Sequence, residues 1–148
     1  MTAPAPERRI GRTIGALVAG LVVGIALTLG TDAILHATGV FPPSGQAMSN
    51  GLFGLATAYR VVYSVVASYV AARFAPDRPM WHALVLGAVN LAVSLGGTVA
   101  TWNRGPEFGP HWYPISLVVL ALPAAWLGGR IYGSRQRAWS ATREYFAR

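Results

Sequence analysis

Cysteine is absent from the 148 residues of this chain, and so is lysine; acidic residues number only five. The missing thiol excludes disulfides, thiolate nucleophiles, cysteine-held iron–sulfur clusters and covalent attachment of c-type haem. It does not speak to the redox compartment. With no lysine, all twelve basic residues are arginine, a usage that reads as GC-rich coding rather than a chemical requirement. Charged residues of both signs make up 11% of the chain, against about 25% in an ordinary soluble domain. Five scattered carboxylates are too few for a paired acid–base site. There is also no nucleophile elbow, no phosphate-binding glycine loop and no serine with a plausible base, so no motif here asks for catalysis or for a cofactor.

What is present is apolar sequence: 53% of residues are hydrophobic. The charges gather at the ends and in short connections, leaving four long runs nearly free of them. A transmembrane helix needs about 20 apolar residues to cross a hydrocarbon layer of about 30 Å. Four such spans are expected, at residues 13–35, 52–74, 80–102 and 114–133. The fold class expected is therefore all-α, a four-helix transmembrane bundle forming one integral membrane domain, with a basic tail over residues 134–148. A cleavable signal has an apolar region of only about 7–15 residues and a small-residue cut site. The first span is longer and runs into Thr31, Asp32 and His36, so an uncleaved helix is expected.

Arginine sets the orientation. Arg8, Arg9 and Arg12 precede the first span, Arg73 and Arg78 lie in the second connection, and Arg130, Arg135, Arg137, Arg143 and Arg148 follow the fourth. The other side has only Arg104, while Arg60 lies inside the second span. Positive charge is retained in the cytoplasm, which places both termini and the APDRP turn inside. Phe74, Trp81, Trp126 and Tyr132 then mark the inner interface, and Phe41, Phe53, Trp102, Trp112 and Tyr113 the outer one. The net charge of +7 follows from this topology and requires no nucleic acid. In the tail, Trp139, Thr142, Tyr145 and Phe146 can share a helical face while Arg135, Arg137 and Arg143 reach water. Two readings stay open: a segment lying on anionic lipids of the inner leaflet, or a continuation of the fourth helix.

Small and polar residues form stripes at helical spacing. They are Ala16, Gly20, Gly24, Thr28, Asp32 and His36 in the first span, and Ala56, Arg60, Ser64, Ser68 and Ala72 in the second. The third has Ala83, Gly87, Asn90, Ser94, Thr98 and Thr101, and the fourth Ala121, Ala125 and Gly129. Helices in lipid associate through such close-packing residues and through hydrogen bonds. The stripes are expected to face one another, within one bundle or in a homo-oligomer.

Arg60 is the most informative position. It lies nine residues into its span, about 13 Å deep at 1.5 Å per residue. A charge there must pair, face the bundle interior or snorkel. Asp32 sits about one turn below the same boundary, and an Asp32–Arg60 pair is expected, with Tyr59, Tyr63 or Asn90 as further partners. The intramembrane polar cluster is thus Asp32, Arg60, Ser64, Asn90 and Ser94. It is either a helix lock, a binding point for an anionic solute or lipid headgroup, or one station on a proton path. A weaker pattern joins Asp32 and His36 with Glu107 and His111 at the outer face, residue types that suit zinc, iron or manganese. Proline and glycine around Glu107 and His111 spoil helical spacing, and His82 lies at a different depth, against a haem between facing helices.

The segments GTDAILHATGVFPP, APDRPMWHALVLG and ATWNRGPEFGPHWYP resemble those of small four-span membrane proteins of bacteria without an assigned activity, over most of residues 11–130. The resemblance implies a plasma (inner) membrane location and nothing about chemistry. Small multidrug exporters share the size and the four spans but centre on a glutamate in the first helix, where this chain has no acid before Asp32. Three functional classes follow: a structural, accessory or lipid-interacting subunit; a small oligomeric transporter or channel lined by the polar stripes; and an outer-face metal site or membrane enzyme. The bilayer is the expected partner, with a homo-oligomer or larger complex beyond it.

Overall fold

The computed structural model describes residues 6–146. The side chains of residues 6–9, 141, 144 and 145 fall outside that description, and with them the expected roles of Arg8, Arg9 and Tyr145; Arg148 lies beyond it. Four helices follow one another: α1 (Pro6–Ala37), α2 (Asn50–Phe74), α3 (Pro79–Thr101) and α4 (Trp112–Phe146). A single turn of 3₁₀ helix, Pro106–Phe108, interrupts the last connection. Among the described residues there is no strand. Every one of the four helices is long and apolar enough to cross a membrane.

Local chemistry sets the boundaries. Ser49 accepts a bond from the Leu52 amide and opens α2, satisfying one of the donors that a helix start leaves free. Pro79 stands at the start of α3, where its missing N–H is harmless. Arg78 before it adopts φ 42°, the left-handed region unusual for a non-glycine residue. That places its carbonyl to accept from His82 Nδ1 at 3.3 Å. α4 does not end with its apolar run near Gly133 but continues unbroken to Phe146. Of the two readings of the tail, the continuation of α4 is the one observed.

Neighbours in sequence pack antiparallel, and the small-residue stripes meet. Ala16, Ala56, Ala72, Ala83, Ala121 and Ala125 are all buried. A Cβ on Gly20 would come within 2.7 Å of the Ala67 carbonyl oxygen, and one on Gly87 would collide with Ala125. One on Gly128 would strike the Val65 carbonyl oxygen and come within 2.9 Å of the Tyr69 amide nitrogen. These approaches bring backbones together, the geometry that stabilises helix pairs in lipid. α2 is the hub, packed along α1, α3 and α4, whereas α1 touches α3 only lightly.

Outward, the picture reverses. Along α1, Val18, Val22, Ile25 and Leu29 are 50, 56, 48 and 62% exposed. Only 11% of its most apolar window is buried. An aliphatic face of that extent has no counterpart on a water-soluble monomer; hydrocarbon is its solvent. The chain is accordingly a multi-pass membrane protein. At the end of the bundle bearing the two long connections (the loop end), Phe41 folds back and is buried, its amide donating to the Leu35 carbonyl at 2.9 Å. Toward the opposite, terminal end, Ala67, Ala71 and Leu86 form a buried apolar cluster, with Leu17 against them.

Candidate functional site

Arg60 sits about ten residues into α2, and its guanidinium turns back toward the loop end. Nη2 donates to Asp32 Oδ2 on α1 at 2.7 Å. Nη1 donates to the Tyr113 hydroxyl at the start of α4, and the Tyr59 hydroxyl donates to the other oxygen of Asp32. The guanidinium carbon lies 5.8 Å from the centroids of both the Tyr59 and the Tyr113 rings. Three helices thus converge on one ion pair, with their side chains 30% and 23% exposed. The pair is electrically neutral, and every strong group but one is satisfied: Arg60 Nε is buried without a partner among the described residues.

Sequence reasoning named Tyr59 correctly as a neighbour but missed Tyr113. Tyr113 reads as an interfacial aromatic, and only the closure of α4 against α2 brings it over Arg60. Phe53 holds the Tyr113 ring at 5.0 Å. Tyr63 bonds elsewhere, sharing a hydrogen bond of 2.8 Å with Thr31. Asn90 does not reach Arg60 directly; its amide donates to Ser64 Oγ at 3.3 Å, and Ser64 donates to the Arg60 carbonyl at 2.9 Å. The Asn90 carbonyl oxygen makes no hydrogen bond to any described residue.

Three spaces are strung along these residues. A chamber of about 130 Å³ at the loop end is bounded by Asp32, His36, Glu107 and Tyr113, and reaches Arg60. A second, of about 220 Å³, lies deeper among Thr28, Arg60, Ser64, Asn90 and Ser94. The third, also about 220 Å³, is a groove between α1 and α3 walled by Gly20, Gly24 and Leu86. Thr28, Ser64, Asn90 and Ala121 line both the second and the third. Leu21, Ile25 and Leu29, all exposed, form the lip of that groove. It exists because α1 leans on α2 rather than α3.

The outer-face metal reading needs correction. Among the described residues no three of His, Asp and Glu come together as a metal would require. Asp32, His36 and Glu107 border one chamber, yet Asp32 is committed to Arg60 and Tyr59, and His36 Nδ1 donates to the Asp32 carbonyl at 2.8 Å. His111 is drawn away: it stacks on Trp102 at 4.3 Å and 12°, donating Nε2–H to the Trp102 carbonyl at 3.0 Å. His82, near the start of α3, is 1% exposed. With Nδ1–H given to the Arg78 carbonyl, its Nε2 is left to accept from the Thr13 hydroxyl at 3.3 Å, tying α3 to α1. Its spacing in the sequence carried no signal of that burial.

No known protein family, curated protein or solved structure matches this chain.

Proposed function

We propose that this chain is a lipid-interacting accessory protein of the bacterial plasma (inner) membrane, with its termini in the cytoplasm. In this reading it admits an uncharged, hydrogen-bonding amphiphile sideways into the loop-end half of the bundle. One observation carries it: the aliphatic groove between α1 and α3 and the polar chamber behind it share Thr28, Ser64 and Asn90. A hydrocarbon tail suits the lip of Leu21, Ile25 and Leu29. A polar head suits the free Asn90 carbonyl. Ligand pockets are commonly of this kind, apolar walls with a few convergent polar groups. The head should carry no charge, because Asp32 already neutralises Arg60 and a second anion would face that carboxylate.

Native mass spectrometry of the gently extracted protein tests this. One uncharged lipid-sized adduct per chain is expected, lost in Asn90→Leu and Thr28→Phe while helical content and oligomeric mass stay unchanged. A chain that carries no adduct, or variants that retain it, would refute the reading. A stoichiometric complex with a larger protein and an empty groove would leave an accessory subunit without the lipid role.

Transport draws on the same chambers, but in a single chain they stop at Ala67, Ala71 and Leu86. A path would need that floor to open or a second copy to complete it. Flux in proteoliposomes that falls when Asn90 and Ser94 are changed would favour transport. The orientation has its own test, free of background because the chain has no cysteine. Ser44→Cys is expected to react with an impermeant maleimide on intact cells, and Ser134→Cys only after the membrane is opened. The reverse pattern inverts the topology.

A further inference from the structure

The terminal end of the bundle carries a second site that owes nothing to Arg60. α4 runs on to Phe146, whereas α2 stops at Phe74. The overhanging stretch of α4 and the end of α2 enclose an open pocket of about 810 Å³. Arg73 enters it from α2, and Arg135, Arg137 and Arg143 from α4. Its base is already ordered. The Tyr69 and Tyr132 rings meet edge to face at 5.7 Å and 82°. Gln136 donates to the Tyr132 hydroxyl at 2.9 Å, and the Arg135 guanidinium carbon lies 5.8 Å from the Tyr69 ring centroid. None of the four guanidiniums has a carboxylate partner among the described residues. Four like charges around one space repel unless an anion joins them.

We infer that this pocket binds the headgroup of an anionic phospholipid bearing two phosphates, one headgroup per chain. Phosphate matches the planar fork of arginine, which can donate two parallel hydrogen bonds to it. Two phosphates suit four cations contributed by two helices better than one does. The source is lipid, because the pocket begins at the level where aromatics crowd the helix ends. Phe74, Trp81 and Trp126 are 57, 52 and 45% exposed there, as side chains at a headgroup layer are. Basic pockets between transmembrane helices on the cytoplasmic side are suited to such headgroups.

The experiment titrates the full chain, in neutral detergent, with a two-phosphate lipid or a one-phosphate lipid at equal total charge, and counts bound lipid by native mass spectrometry. The wild type is expected to prefer the two-phosphate lipid by about tenfold, the effect of one well-made charge-assisted contact. Arg73→Gln with Arg135→Gln should erase the preference. Arg12→Gln with Arg130→Gln, which removes equal charge from the same end but outside the pocket, should keep it. Inorganic pyrophosphate at the same phosphate concentration should not displace the lipid. No preference in the wild type, or its loss in the control as well, overturns the site; displacement by pyrophosphate overturns the lipid as its source. All four arginines are exposed, so these variants should fold, and circular dichroism verifies it.

Discussion

Asp32→Leu is expected to destabilise the bundle by about 2–3 kcal/mol, and Arg60→Leu by a similar amount. The double variant is expected to cost about as much as either single change rather than their sum. Either single change strands one charge inside the loop-end half of the membrane-spanning bundle. A stranded charge at mid-helix costs about 2.5–3.5 kcal/mol on insertion scales, reduced here because the side chains keep 30% and 23% exposure. Removing both leaves leucines where lipid-like packing is welcome, though the Tyr59 and Tyr113 hydroxyls lose their partners. A double-mutant cycle from reversible unfolding in detergent measures the coupling, expected near 2 kcal/mol. Additive losses would mean that Asp32 and Arg60 do not act as a pair. The double variant also separates lock from site. If it folds yet loses the adduct held in the polar chamber, the pair serves binding; if it folds and keeps the adduct, the pair is a lock between α1 and α2, and Asn90 with Ser64 carries the head.

The second large effect lies at Gly128. A Cβ there would meet backbone rather than flexible side chain: the Val65 carbonyl and the Tyr69 amide on α2, with Ser68 Cβ at 2.9 Å. Overpacking a tight core costs about 1–3 kcal/mol when neighbours can yield. Backbone cannot yield without parting α2 from α4, so Gly128→Leu is expected to reach or exceed the top of that range. It should lower the thermal midpoint sharply or abolish recovery of folded protein. A Cβ on Gly96 or Gly97 of α3 would meet nothing within 4 Å, so Gly96→Leu and Gly97→Leu should be close to neutral. Size-exclusion profiles and melting curves of the three variants compare them directly. Equal tolerance at Gly128 and Gly96 would show that α2 and α4 do not approach as described. The parting of α2 from α4 also predicts loss of the Tyr113 contact to Arg60, so Gly128→Leu should weaken the loop-end site from a distance.

Much of the architecture was readable from composition and period. Four charge-poor runs of span length leave a chain no choice but helices, because an unpaired backbone group in hydrocarbon costs several kcal/mol. The stripes of Ala16, Gly20, Ala56, Ala83 and Ala125 announced which faces meet, since only small residues let backbones approach. The proximity of Asp32 to Arg60 was legible for the same reason of scarcity: each is the one ionisable group deep enough on its helix to need the other. The end of the fourth helix was not legible. Hydropathy falls at Gly133, but nothing after it breaks a helix, and a helix ends by losing hydrogen bonds rather than by leaving lipid.

By itself, then, the sequence determined that this is a membrane protein, how many times it crosses, which helix faces are inward, and that one arginine inside it requires a carboxylate. Those properties are additive along the chain; each residue's transfer preference and the helical period suffice. The tertiary structure alone decided that α1 leans on α2 and away from α3, opening the groove onto Asn90, and that Tyr113 closes over Arg60. It alone drew His111 onto Trp102, so that no metal cluster forms among the described residues, and gathered Arg73 with Arg135, Arg137 and Arg143 around one pocket. These depend on helix rotation and tilt, which are set by the close contacts of Gly20, Gly87 and Gly128 taken together, and no local pattern encodes a sum over three helices.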